Sequence, residues 1–272
     1  MNIDTKQLNC IADLVRRAAA EELMSRFDSV RAETKADGSL ITEADLAMQG
    51  RLQRELAEGW PEFRLLGEEM TAQEQQRLLA SPGPGLWCLD PLDGTSNFAA
   101  GIPFFGVSLA LLGGNEVMAA VVYDPARDEC FTALRGQGAW LNGSPLKTPA
   151  VPQALCDAMA MVDLKRLPDS LIQVLVKHAP YRSQRSFGSV ALDWCWVAAG
   201  RCQIYLHGGQ KLWDYAAGQL ILSESGGAGG LLADYHGDWI SGFTLTPRIA
   251  VAASHADLLT LWREWIEQGV GS

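Results

Sequence analysis

The chain has 272 residues, a formal net charge of −10, 48% hydrophobic residues and 20% charged residues. That length buries a sizeable core, as one large domain or two intimately packed halves. The acidic balance, with no dense Lys/Arg block, makes the electrostatic case for nucleic-acid binding weak. The longest apolar run, Ile102 to Leu112, is too short to span a membrane. Asp4 and Lys6 stand where a secretion signal would need an apolar stretch, so a cytoplasmic protein is expected. The six cysteines form no CxxC pair or zinc-finger spacing and read as reduced, buried thiols.

In chain order, Leu8, Ile11, Leu14, Val15, Ala18, Ala19, Leu23 and Phe27 recur at helical spacing. A polar loop follows at Lys35–Ser39. A second helix is predicted from Thr42, whose Thr42-Glu43-Ala44-Asp45 start has the form of a capping box, with Leu46, Leu52 and Leu56 on one face. Trp60-Pro61 ends it. Strands then dominate: Phe63–Leu66, Leu86–Leu89, a hairpin of Phe105–Leu112 and Val117–Tyr123, then Cys130–Leu134 and Ala139–Leu141 before an Asn142-Gly143 turn. From about residue 150 the pattern alternates. Ala158–Val162 and Ile204–Leu206 read as strands; Asp169–Lys177, Ser189–Ala199, Asp214–Ser223 and Ala256–Ile266 read as helices, and Gly226-Gly227 stops the third of these. A mainly antiparallel first part and an alternating second part imply two sheets layered with helices.

Four groups of acidic residues stand at strand ends or helix starts. Asp90-Pro91-Leu92-Asp93-Gly94-Thr95 places two carboxylates three apart, just past a strand, with Gly94 for close backbone approach and Thr95 at a helix start. Carboxylates suit divalent cations of the magnesium type, and helix-start N–H groups suit phosphate oxygens. A plain Asp-Gly turn explains the same residues equally well. Glu68 follows the preceding strand and, taken alone, reads as solvated surface. Asp214, in Trp213-Asp214, reads alone as a helix N-cap, and Asp45 as half of its capping box.

In order and in combination these motifs resemble the inositol monophosphatase family, within the lithium-sensitive, magnesium-dependent phosphatases. The resemblance runs from about Lys35 to Gly227 and takes in Asp37–Asp45, Gly67-Glu68-Glu69, Asp90–Thr95, Arg185–Ser189 and Trp213-Asp214. It implies a layered αβαβα sandwich of the sugar-phosphatase type. Residues 1–147 would carry Asp45, Glu68 and Asp90–Thr95, and residues 148–272 would carry Gly188–Val190, His207 and Asp214, the two packing as one functional unit. It implies two to three Mg²⁺ ions: Glu68, Asp90 and the Leu92 carbonyl on the first, Asp90, Asp93 and Asp214 on the second, and a looser third near Glu68. The implied reaction is hydrolysis of a small phosphate monoester, inositol monophosphate or a similar polyol or sugar phosphate, by a metal-activated water. Thr95 would orient that water with Asp45 as partner, and Glu68 would also activate it. Asp93, Gly94, Thr95, Gly188, Ser189, Val190 and His207 would meet the substrate, Lys35–Leu40 would form a mobile loop, and the chain would form a homodimer.

Two positions depart from the family pattern. His207 stands where inositol-selective relatives place a glutamate, and Val190 where they often have alanine. Both put inositol phosphate in question and leave the metal set intact; His207 reads equally as an uninvolved loop residue. A 3′(2′),5′-bisphosphate nucleotidase or a fructose-1,6-bisphosphatase is the alternative, with Lys211, Arg182 and Arg185 as candidates for a second phosphate. A serine hydrolase is excluded by the absence of GxSxG. A non-catalytic phosphate- or partner-binding protein on the same scaffold would need a broken carboxylate set. The apolar hairpin from Phe104 to Tyr123 reads either as a dimer interface or as core.

Overall fold

Successive residues of one buried strand face two different cores, and this alternation organises the molecule. Trp87 and Leu89 pack with the first two helices, whereas Cys88 points to the opposite side, among residues from the C-terminal half. The structure is a computed structural model describing residues 3–27, 32–34 and 40–270. Apart from Leu40, the mobile segment expected at Lys35–Leu40 lies outside the described residues.

Helix α1 (Thr5–Ala19) starts at an Asp4/Gln7 capping box and runs into a π-helical turn at Ala20–Met24. Strands β1 (Ala32–Thr34) and β2 (Leu40–Thr42) pair antiparallel and lead into α2 (Glu43–Gly59). The capping box of Thr42 and Asp45 is present. The buried stripe of α2 is Ala44, Met48, Leu52 and Leu56, at four-residue steps, and Leu46 is 54% exposed instead of joining Leu52 and Leu56. Strand β3 (Arg64–Gly67) is followed by α3 (Ala72–Ala80), a helix whose polar composition hides it in the sequence. Strand β4 (Leu86–Asp93) runs into the short α4 (Thr95–Ala99). Strands β5 (Gly106–Gly113), β6 (Glu116–Asp124), β7 (Glu129–Leu134), β8 (Gly138–Leu141) and β9 (Ser144–Leu146) complete a seven-stranded sheet in chain order, antiparallel except for the β3–β4 pair.

The second half supplies β10 (Met159–Asp163), α5 (Asp169–Lys177), β11 (Ser183–Arg185), α6 (Val190–Ala198), β12 (Ile204–Gln210), α7 (Leu212–Ser225), β13 (Ala228–Leu232), β14 (Arg248–Ala253) and α8 (Ala256–Val270). Its five-stranded sheet has the order β11-β10-β12-β14-β13, with β10 parallel to both neighbours and β14 antiparallel to both of its own. The edge pair β13 and β14 is thus an antiparallel addition to a parallel core. Gly226, at φ 98°, ends α7 in the left-handed conformation that glycine adopts without penalty.

Three cores give the layering. Helices α1 and α2 cover one face of the seven-stranded sheet. Helices α6 and α7 lie between the two sheets, with Trp194, Leu220 and Ile221 meeting Ala110 and Val122 on one side and Tyr205 and Ala252 on the other. Helices α5 and α8 cover the outer face of the five-stranded sheet through Leu171, Leu258 and Trp262. The result is an αβαβα sandwich whose middle core is shared by both halves of the chain. Phe104, Phe105 and the β5–β6 hairpin are buried within this sandwich, so the apolar hairpin is core in the single chain and not an exposed interface. All six cysteines are free thiols; Cys88, Cys130, Cys195 and Cys202 are buried, but Cys10 and Cys156 are exposed, against expectation. Among the described residues no helix is long and apolar enough to cross a membrane.

Candidate active site

The carboxyl end of β4, the start of α7 and the loop before α6 meet around a cavity of about 660 Å³. Its wall includes Glu68, Asp90, Leu92, Asp93, Gly94, Thr95, Gly188, Val190, His207 and Asp214. Asp45 and Ser189 stand behind this wall, buried, and act through residues that line it. Three buried links explain the convergence. The Ser108 hydroxyl, on the β5 residue that pairs with Asp90, donates to the Trp213 carbonyl at 2.9 Å and so pins the start of α7 to the first sheet. Asn97 Nδ2 donates at 2.7 Å to the carbonyls of both Phe104 and Phe187, tying α4 to the Gly188 loop. Gln75 Nε2 donates to the Gly67 and Glu68 carbonyls while Gln49 Oε1 accepts the Glu69 N–H, which fixes the loop that carries Glu68. None of these four side chains announces itself in the sequence, because each is uncharged and bonds a backbone group whose place only the fold determines.

Asp93 has a double task. Its Oδ2 accepts the Ser189 hydroxyl at 2.6 Å and the Ala191 N–H at 2.7 Å, so a carboxylate from β4 caps the N-terminus of α6. Asp90 Oδ1 accepts the Leu92 N–H at 3.0 Å. Asp214 occupies the third position of α7 and not its N-cap; Oδ2 accepts the Lys211 N–H at 2.8 Å. Burial, then the charges of Glu68, Asp93 and Asp214, push Asp90 well above the usual carboxylate range. Burial followed by Glu68 and Asp93 does the same to Asp214. Burial also raises Asp93, to about 6, against the hydrogen bonds from Ser189 and α6. Such mutual repulsion among buried carboxylates is the electrostatic signature of a site that cations relieve.

The donor set is all oxygen and suits Mg²⁺. In the geometry described, no three His, Cys, Asp or Glu side chains among the described residues are already gathered around one ion position. Lys211 Nζ stands 3.7 Å from Glu68 Oε1 and supplies one positive charge to the set.

The Thr95 hydroxyl lies 3.2 Å from Asp45 Oδ1 and 3.0 Å from the Leu92 carbonyl. Asp45 in turn accepts the Thr42 N–H at 2.8 Å and the Thr42 hydroxyl at 2.6 Å. Burial raises its pKa despite these bonds. Gly94 has φ 93°, and a Cβ there would stand 3.1 Å from the Phe104 carbonyl and 3.2 Å from that of Gly188. Gly94→Ala is expected to cost roughly 1–2 kcal/mol in backbone strain and to reduce turnover by about tenfold or more by displacing the Thr95 turn. Thermal unfolding and phosphate release measured on the same sample check it.

His207 is buried, with Nε2 3.1 Å from Asp163 Oδ2 and Nδ1 accepting the Gly209 N–H at 3.2 Å. Both ring nitrogens are thus engaged within the protein. Asp193, which the sequence reading passed over, also lines the cavity. It is buried, and burial with the Asp93 and Asp163 charges holds its pKa well up. Arg182 and Arg185 are not in the wall; Arg185 donates to the Ser183 hydroxyl and the Gln184 carbonyl.

The Inositol monophosphatase family profile matches residues 4–268. The chain belongs to the inositol monophosphatase family. It is similar to inositol monophosphatase 2 of Solanum lycopersicum, 37% identical over 244 residues, covering 85% of this chain and 87% of that protein. It is also similar to the Nus factor SuhB of Pasteurella multocida, 34% identical over 216 residues, with 78% of each covered. Among solved structures, the Thermotoga maritima IMPase superposes with a TM-score of 0.83 at 25% identity, covering 98% of this chain and 99% of that one. Membership and fold together make the protein a phosphoric monoester hydrolase of this family.

Proposed function

We propose that the protein hydrolyses a small phosphate monoester with Mg²⁺, using Glu68, Asp90, Asp93, Asp214 and the Leu92 carbonyl to hold two to three ions. The observation that carries this reading is the set of buried, mutually repelling carboxylates on one cavity wall beside the Gly94–Thr95 turn. When bound, the ions supply positive charge for the transferring phosphoryl group and the leaving oxygen. The chain's own residues do the rest. The Gly94 and Thr95 N–H groups, at the start of α4, receive phosphate oxygens. The Thr95 hydroxyl has one proton and two acceptors in reach, the Leu92 carbonyl at 3.0 Å and Asp45 Oδ1 at 3.2 Å; turned to Asp45, it has its oxygen lone pairs free to orient the attacking water. The raised pKa of Asp45 makes that carboxylate a fitting sink for the proton passed through Thr95. A cavity of about 660 Å³ admits a polyol or sugar phosphate. A homodimer, expected from the resemblance alone, is tested by sedimentation of the full chain.

Phosphate release from glycerol 2-phosphate and inositol 1-phosphate is expected to require Mg²⁺ and to fall with added lithium. Undiminished release in excess chelator would refute the proposal.

A further inference from the structure

The part of the cavity lining that comes from β10, β12 and the turn after β10 carries its own charge pattern. Strands β10 and β12 run parallel, and Asp163 and His207 are register partners near their carboxyl ends, where open α/β sheets bind ligands. Past Asp163 the chain makes a 3₁₀ turn at Leu164–Arg166 that folds back over Gly208. A Cβ at residue 208 would stand 1.8 Å from the Arg166 carbonyl oxygen, so only glycine lets the turn seat there. The turn brings the Arg166 guanidinium onto Asp163 Oδ2, the same oxygen that faces His207 Nε2.

The tautomer of His207 follows from its two contacts. Nδ1 accepts the Gly209 N–H, so Nε2 carries the proton and donates it to Asp163. Burial outweighs Asp163 and lowers the His207 pKa. Burial works against the Asp163 carboxylate too, but the His207 hydrogen bond and the Arg166 charge outweigh it and hold its pKa below the usual range. His207 therefore presents no acceptor to a polyol hydroxyl, and serves to fix Asp163, which fixes Arg166. Lys165 and Arg166 supply donors to the lining here, beside Asp163 and the buried Asp193. Lys165, Arg166 and Asp163 sum to one net positive charge, where a glutamate at 207 would have cancelled it.

We propose that Arg166 and Lys165, braced by Asp163 and His207, form an anion subsite, so that the substrate is a phosphate ester whose leaving alcohol carries a second anionic group. This rests on the phosphatase reading above and names its substrate class. A guanidinium fixed by one carboxylate keeps a planar fork of donors for carboxylate or phosphate oxygens.

The test compares kcat/KM of the full chain with Mg²⁺ on glycerol 2-phosphate (a neutral alcohol), 3-phosphoglycerate (a carboxylate) and fructose 1,6-bisphosphate (a second phosphate). At least one anionic ester is expected to be preferred by about tenfold or more over glycerol 2-phosphate. Which one it is distinguishes the two anion sources. Arg166→Ala should collapse that preference ratio by about tenfold, Arg166→Lys should restore part of it, and Lys165→Ala should lower it less. High salt should compress it as well. Preference for the neutral alcohol, or a ratio that Arg166→Ala leaves intact while all rates fall together, overturns the subsite alone. Absence of release from all three esters overturns the phosphatase reading and the subsite with it.

Discussion

Asp90→Asn is expected to lower turnover at saturating Mg²⁺ by at least about a hundredfold while leaving the chelated protein as stable as before or more so. The two effects separate because Asp90 is structurally undemanding and electrostatically costly. Its side chain accepts the Leu92 N–H at Oδ1, a bond that an asparagine carbonyl keeps. Its negative charge is buried and stands against Glu68, Asp93 and Asp214. An amide in that place replaces three repulsions with a dipole, and a buried group that loses an uncompensated charge gains stability. On the proposed function, the same change would remove the ligand expected to be shared between two ions. Three measurements decide it: phosphate release, Tm in chelator, and the rise in Tm on adding Mg²⁺. Loss of release together with loss of the Mg²⁺ response is the expected pattern. Near-normal release with the response retained would remove Asp90 from the proposed metal site, and a large fall of Tm in chelator would make it a structural residue.

The parts of this site that are legible in the sequence are those held by local chemistry. Thr42 and Asp45 are three residues apart, so the capping box is visible before any fold is known. Asp90 to Thr95 is contiguous, and its strand, glycine and helix start follow one another. The stripe of α2 is misread at Leu46 because hydrophobicity suggests inside, whereas the angular spacing from Ala44, Met48 and Leu52 turns residue 46 outward. Helix α3 is missed because its inward residue Gln75 is polar and buries a side-chain amide against two backbone carbonyls. His207 shows the limit most clearly. Its departure from the family pattern is plain in the sequence, but its meaning depends on Asp163, forty-four residues away, and only the register of β10 and β12 brings the two together.

Stability of the metal-free protein is expected to fall as pH rises through the weakly acid range, and Mg²⁺ is expected to restore it by an amount that grows with pH. The sign follows from the direction of the shifts. Asp93 is raised to about 6, and Asp90 and Asp214 are raised well above the ordinary value, chiefly by burial. An unfolded aspartate has a pKa of about 3.9. Below that value the groups are protonated in both states and cost nothing. Between it and the folded pKa the unfolded chain has released its protons and the folded chain has not, so each unit of pH costs about 1.4 kcal/mol per group. For Asp93 this window closes near 6; for Asp90 and Asp214 it extends higher. Cations that bind only the ionised set draw those protons off and convert the penalty into binding energy, so the Mg²⁺ stabilisation must rise with pH over the same window. Tm measured from pH 4.5 to 8, with chelator and with Mg²⁺, gives two curves that should diverge upward from about pH 5. Parallel curves would mean that the ions bind elsewhere. Asp90→Asn should bring the two curves together, because it removes both a titrating group and a proposed ion ligand, which ties this pH dependence to the residue whose loss is expected to lower turnover at least about a hundredfold.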